Sequence, residues 1–538
     1  MRIRLTAALV ASLITLQAPA SPIQAQAARP KLVVFVVVDQ LRGDYLTRYS
    51  DLFEHGLKRL TKDGAWFRNG AYPYLLTVTC VGHSTIGTGT LPYQHGMIGN
   101  AWWDRETQKS VTCNADPDSQ EVSYGSSQGA GDSALRMMTP TLADVMRKSL
   151  NSRVATMSMK ARSAIGLAGH GGDFVTWFGD RNVWETSSVY APAPVGWFVG
   201  YLKGDPVDRD SEKTWDRALP ADRYEYSDDG VGERGAAGWG PVFPHPLGRA
   251  GDNAYIQHWL QSPYPNDYLE RMAEAAVTEM KLGTEDRTDF LGVSFSALDS
   301  VGHSYGPRSH EVQDMLVRLD ETLGRFLDFL DEKIGKDNYV LAFSADHGVA
   351  DIPEQIPSAG RTAMLAIRTA IESLLKPVLG GEGPFIAATS GGEVYFKPGV
   401  WDRIKSDRKL LGTIAKTISN MSGVARVITS DEVSSAAART SKDAQIRATA
   451  LSYFPGRSGD LFVVQKENWL LSSTGTTHGT WYSYDQRVPV LLFGAGIQSG
   501  ARNDAATPAD LAPTVASIIG VTLPSPDGRV LSQALKKR

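Results

Sequence analysis

The stretch "KLVVFVVVDQLRGDY", Lys31 to Tyr45, decides the fold class. It is a continuous apolar run rich in valine, and it ends in Asp39. Such a run suits a strand covered on both faces, as in a parallel sheet. The stretches around it alternate. "DLFEHGLKRLTKDG" (51–64) has helical spacing and stops at Gly64. "PTLADVMRKSL" (140–150) is helical and leads into the strand "RVATMSM" (153–159). "DYLERMAEAAVTEMKLG" (267–283) is an amphipathic helix before the strand "DFLGVSFSALD" (289–299). The long helix of 309–335 precedes "YVLAFSADHG" (339–348). Late in the chain "VPVLLFGAG" (488–496) reads as a strand and "PADLAPTVASIIG" (508–520) as a helix. Strands alternating with helices predict an α/β fold with a mostly parallel central sheet between helical layers.

Two regions interrupt the alternation. Residues from about 177 to 262 are rich in Trp, Gly, Pro and Asp, and read as an insertion over the site. Their Trp and Tyr content suggests an aromatic wall that would favour nucleotides. Residues from about 352 to 470, with "GGEVYFKP" and "VARVIT", read as a subdomain inserted between two sheet strands.

At the start of the chain, Arg2 and Arg4 precede the apolar segment Leu5 to Leu16, and Ala25-Gln26-Ala27 is an A-x-A site. This is the pattern of a secretory signal peptide over residues 1–27, too short in its apolar part to span a bilayer comfortably. The catalytic domain is expected over 28–538, outside the cytoplasm and without a membrane span. Of 538 residues, 42% are hydrophobic and 21% charged, as in a globular protein. Without Arg2 and Arg4 the balance is 53 basic to 59 acidic residues, a net charge of about -6. That charge disfavours nucleic acid as a bulk partner. The two cysteines, Cys80 and Cys113, are expected to be bridged in an exported chain.

Several predicted strands end alike: Asp39 after "VVFVVV", Asp299 after "VSFSAL", Asp346 after "LAFSA". Ligands gather at the carboxyl ends of strands in such sheets. His303 lies four residues after Asp299, His347 adjoins Asp346, and His478 precedes the last sheet strand. Singly, an Asp after a strand is a cap or turn residue. Together, three carboxylates and three imidazoles suffice for two metal ions with three protein ligands each, and a mixed Asp/His set suits Zn²⁺ best. The stretch "YLLTVTCVGHSTIGTG" (74–89) supplies several hydroxyls, and Thr77, Thr79, Ser84 and Thr85 all stay open as nucleophiles. Lys160 and Arg162 sit two apart after a strand, so they can point the same way.

In this order and spacing, "VVVDQLRGDYL", "TVTCVGHSTIGTG", "HGMIGNAWWD", "MSMKARSAIG", "ALDSVGHSYGP", "SADHG" and "THGTWYSYDQRVPVLLFG" resemble the alkaline phosphatase superfamily, in its periplasmic phosphate-irrepressible branch. The resemblance covers roughly residues 31–535. It implies that Asp299, His303 and His478 bind one Zn²⁺, and that Asp39, Asp346 and His347 bind a second, which also meets Thr79. It selects Thr79 as the nucleophile. It puts Asn100 on one phosphoryl oxygen and Lys160 and Arg162 on the others. The expected activity is hydrolysis of small phosphate monoesters through a phospho-threonine. The rival within the superfamily is a nucleotide pyrophosphatase/phosphodiesterase; the rival outside catalysis is an anion- or metal-binding protein of the same fold. The sulfatase motif "CxPSR" is absent.

Overall fold

The structure, a computed structural model, describes residues 29–125, 129–236 and 238–537. The expected signal peptide lies outside the described residues. Among the described residues the central sheet has eleven strands. Its middle is parallel: Tyr339–Ser344, Leu32–Val38, Asp289–Phe295, Val154–Ser158 and Phe174–Phe178 lie side by side in that order. Antiparallel strands extend both edges, with Val490–Gly494 beside Tyr339–Ser344 and Trp184–Ser187 beside Phe174–Phe178.

The unbroken apolar run of Leu32–Val38 follows from this position. Its seven residues are all buried. Leu32, Val34, Val36 and Val38 face one core, against the helices Tyr264–Glu279 and His310–Lys333. Val33, Phe35 and Val37 face the other, against Leu142–Leu150 and Leu511–Ile519. Side chains alternate along a strand, so one strand feeds two cores and the result is a helix–sheet–helix sandwich. Each such side chain contributes about 1.5–3 kcal/mol on burial, so the strand that carries Asp39 is held firmly.

Local signals set the helix starts. Thr141 and Asp144 form a capping box on Leu142–Leu150. Helix Gly56–Asp63 has no cap of its own; Asp320, from the long helix, accepts from the N–H groups of Glu54, His55, Leu57 and Lys58.

A separate four-stranded sheet, in the order Ile386–Ser390, Glu393–Phe396, Leu461–Gln465, Val424–Thr429, packs on helices Met364–Leu379 and Arg408–Ser419 around its own core. Most of the aromatic residues between 177 and 262 are buried in packing, and two of them, Trp177 and Phe178, line a cavity with Lys160 and Arg162. Trp215 and Trp259 are fully buried, and their indole N–H groups donate to Asp314 and Asp210. Tyr224 also donates to Asp314. These three rings are spent on packing, and each finds a carboxylate for its polar tip. Among the described residues no helix is long and apolar enough to cross a membrane.

Candidate active site

The site assembles where the parallel strands end. Asp39 directly follows Leu32–Val38, and its backbone N–H donates to Phe295 O at 2.9 Å. Asp346 and His347 follow Tyr339–Ser344. Asp299 and His303 lie one turn apart on helix Ala297–Tyr305, just after Asp289–Phe295. His478 comes from the loop before Val490–Gly494. The six side chains, spread over more than four hundred positions, thus meet at one edge of the sheet.

The imidazoles share one arrangement. Each Nδ1 lies beside a backbone carbonyl: His303 by Thr476 O at 2.9 Å, His347 by Gly348 O at 2.9 Å, His478 by Thr77 O at 2.8 Å. Donation there fixes the tautomer and leaves each Nε2 lone pair facing inward. His303 Nε2 is 3.2 Å and His478 Nε2 3.7 Å from Asp299 Oδ1. His347 Nε2 is 3.4 Å from both Asp39 Oδ1 and Asp346 Oδ2. Two donor groups result, Asp299/His303/His478 and Asp39/Asp299/His347, and Asp346 approaches His347 beside the second.

The electrostatics favour cations. Asp39 Oδ1 and Asp346 Oδ2 are buried without a hydrogen-bond partner. Burial, with Asp299 and Asp346 nearby, pushes the Asp39 carboxyl well above its usual range. Burial would also raise Asp299, but the Lys160 ammonium and His303 hold it well below. Burial and the neighbouring His347 and His303 keep His478 well below the ordinary imidazole range, hence neutral and able to ligate. Lys160 Nζ reaches Asp39 Oδ2 at 2.6 Å and Asp299 Oδ2 at 2.5 Å. One ammonium offsets one of three buried carboxylates. The residual negative charge and the inward nitrogens fit divalent metal ions of the zinc type.

Thr79 opens helix Thr79–Thr88, every residue of which is buried. Its Oγ1 lies 3.4 Å from His347 Nε2. Close approach depends on glycine: a Cβ at Gly82 would stand 2.1 Å from Asp346 O, and one at Gly87 2.3 Å from Gly166 O. The helix therefore lies directly on the Asp346 strand end and on helix Ala161–Ala168, whose start carries Lys160 and Arg162. Asn100 Oδ1 accepts from Cys80 N–H at 2.9 Å, leaving its amide N–H groups free to donate. The Cys80–Cys113 disulfide is formed, and Cys113 N–H donates to Asn100 O, so this corner is tied three ways. Arg162 Nε is buried without a partner, beside a cavity that Lys160 also lines.

Of the other hydroxyls, Thr77 donates to Thr480 O and Thr85 to Val81 O. Two residues at the centre carried no functional reading in the sequence. Gln40, at φ +68°, donates from Nε2 to Asp299 Oδ1 at 2.6 Å and from its backbone to Asp346 Oδ1. It fits because residue 302 is glycine; a Cβ there would overlap Gln40 Oε1. His83 touches Thr79 O at 2.9 Å, Asp346 Oδ2 at 3.3 Å and Ser294 Oγ at 2.8 Å. Its place four residues after Thr79, one helical turn on, was the available signal.

A parallel-centred α/β sandwich with this acid–imidazole donor set around a helix-starting threonine is the architecture of the alkaline phosphatase superfamily. Residues 33–485 match the family described as Type I phosphodiesterase / nucleotide pyrophosphatase, and the chain belongs to it. Alkaline phosphatase PafA of Elizabethkingia meningoseptica is 34% identical over 518 residues, spanning 92% of this chain and 93% of that protein. Alkaline phosphatase PhoV of Synechococcus elongatus is 32% identical over 521 residues, 95% of this chain and 94% of that one. The crystal structure of wild-type PafA superposes with a TM-score of 0.86 at 31% identity, covering 95% of this chain and 100% of that one.

Proposed function

We propose that this chain is an exported, zinc-dependent alkaline phosphatase that hydrolyses small phosphate monoesters through a phospho-threonine at Thr79. The observation that carries the reading is the gathering of Asp39, Asp299, His303, Asp346, His347 and His478 beside Thr79. Arg162, Lys160 and Asn100 hold the phosphoryl oxygens. Thr79 Oγ1 attacks phosphorus in line, the P–O bond to the alcohol breaks, and the leaving oxygen departs on the side of Asp299, His303 and His478. Water then cleaves the phospho-threonine, releasing phosphate and restoring the hydroxyl. Two Zn²⁺ ions, one on Asp299/His303/His478 and one on Asp39/Asp346/His347, would supply Lewis acidity that acidifies the hydroxyl and neutralises the leaving oxygen. Uncatalysed monoester hydrolysis is so slow that about 20 kcal/mol of barrier lowering is required, nearly all of it electrostatics and positioning.

The diester reading has support in the family description. Against it stands the pairing of Lys160 and Arg162: a guanidinium fork plus an ammonium suits three free oxygens, and a diester offers two. Export is supported by the pattern of residues 1–27 and by the Cys80–Cys113 bridge, which needs an oxidising compartment such as the periplasm. We read 28–538 as one catalytic domain with insertions at about 177–262 and 352–470.

The test is an acid quench during turnover of an aryl phosphate, followed by peptide mass mapping. A phosphoryl adduct on the Thr79 peptide is expected, and Thr79→Ala should lose at least about a thousandfold in kcat/KM. Hydrolysis by Thr79→Ala at the wild-type rate would show the covalent route to be wrong.

A further inference from the structure

The two flanks of the cradle differ in charge. Beside Lys160 and Arg162, a cavity of about 460 Å³ is lined by Glu121, Asp132, Asp180 and Glu185, with Arg181 as a third cation. Beside His478 lies a second cavity of about 300 Å³, and no residue lining it carries a carboxylate, ammonium or guanidinium. One wall is the chain that leads into Thr79, through Leu76 and Val78; the other is Met364 and Leu471, with Thr389, Ser390, Gln465, Ser472 and Thr477 as neutral polar points. The cavity therefore lies at the seam between the main sheet and the four-stranded sheet.

The seam is fixed at the reacting centre. Ser390 Oγ donates to Ala101 O at 2.9 Å, one residue beyond Asn100. Gly391 and Gly479 both have positive φ, and both crowd Leu76. A Cβ would stand 3.2 Å from Leu76 Cδ2 in the first case and 3.4 Å from Leu76 Cδ1 in the second. Leu76 is thus pinned between two backbones that no other residue type would suit as well. In-line attack by Thr79 sends the leaving oxygen toward His478, and His478 lines this cavity.

We infer that the cavity is the subsite for the organic group of the ester, and that it selects uncharged, apolar or flat groups such as aryl and nucleoside moieties. This rests on the phosphomonoesterase reading. An apolar wall gains from burying a ring, and an alcohol bearing a second phosphate meets no cation there to replace its hydration.

The test compares benzyl phosphate with methyl phosphate, two alkyl esters that differ in what could enter the cavity. Leu471→Glu and, separately, Met364→Glu should lower the ratio of their kcat/KM values (benzyl over methyl) at least about tenfold. The ratio cancels any loss of folded enzyme. Met364→Lys should raise activity on 1,3-propanediol bisphosphate relative to benzyl phosphate. Ratios within about twofold of wild type in all three variants would overturn the subsite. If wild-type enzyme turns over neither ester, it is the phosphatase reading that fails.

Discussion

Asp39 is fully buried at the end of a fully buried strand, with one oxygen lacking a partner. A carboxylate so placed is costly unless a cation meets it. That cost made Asp39, Asp346 and His347 legible in the sequence: each breaks an apolar run at a strand end, where packing alone would not put it. Gln40 was not legible. Its role depends on a left-handed backbone and on a glycine more than two hundred positions away, and neither leaves a local pattern. The choice of Thr79 among its neighbours was likewise beyond residue chemistry and came from the family register. At this scale the charge pair is the sharpest test. Arg162→Ala should lower kcat/KM for an aryl monoester by about 10²–10³, and for the matching diester by less. Equal losses on both esters, measured side by side, would remove the basis for monoester preference.

At the scale of elements, long periodic helices and central strands were readable because burial on one or two faces sets a strong period. The short antiparallel strands were not. Trp184–Ser187 and Thr214–Trp215 are short, lie among glycines and aspartates, and are defined by their partners. The helix start at Gly56 was equally hidden, since Asp320 supplies its cap from another helix. The four-stranded sheet holds a pH-sensitive group. Glu393 is buried, its Oε2 accepting from Tyr395 OH at 2.6 Å and Gly459 N–H at 2.7 Å, with Arg105 and Asp460 nearby. Burial pushes its carboxyl up from 4.5 to about 7. Below pH 4.5 both folded and unfolded forms are protonated and nothing is lost. As pH rises from 4.5 toward 7, the unfolded chain releases its proton first, so stability falls, by about 3 kcal/mol at most. Glu393→Gln should therefore unfold at a higher temperature than wild type at pH 8, with the gap closing by pH 5. A gap independent of pH in thermal melts would count against a protonated Glu393.

On the scale of the whole molecule, one bridge couples stability to the site. Cys80 adjoins Thr79, and Cys113 reaches the same corner through Asn100. Closing 33 positions of sequence contributes about 3–4 kcal/mol in the chain-entropy model. The double variant Cys80→Ser/Cys113→Ser should lose about that much in urea unfolding; a loss below about 1 kcal/mol would mean that packing alone holds this corner. The sandwich was legible as a whole because its strands and helices alternate. The burial of the aromatic residues at 177–262 was not, because composition does not say which rings find a carboxylate inside the fold. The proposed catalysis depends on six scattered side chains forming two metal sites beside one hydroxyl. The direct measurement is anomalous X-ray scattering at the zinc edge from crystals of the purified protein. Two peaks about 4 Å apart are expected, one at Asp299, His303 and His478 and the other at Asp39, Asp346 and His347 near Thr79. Crystals grown with zinc that show no peak at these residues, or peaks only elsewhere, would contradict the two-metal centre.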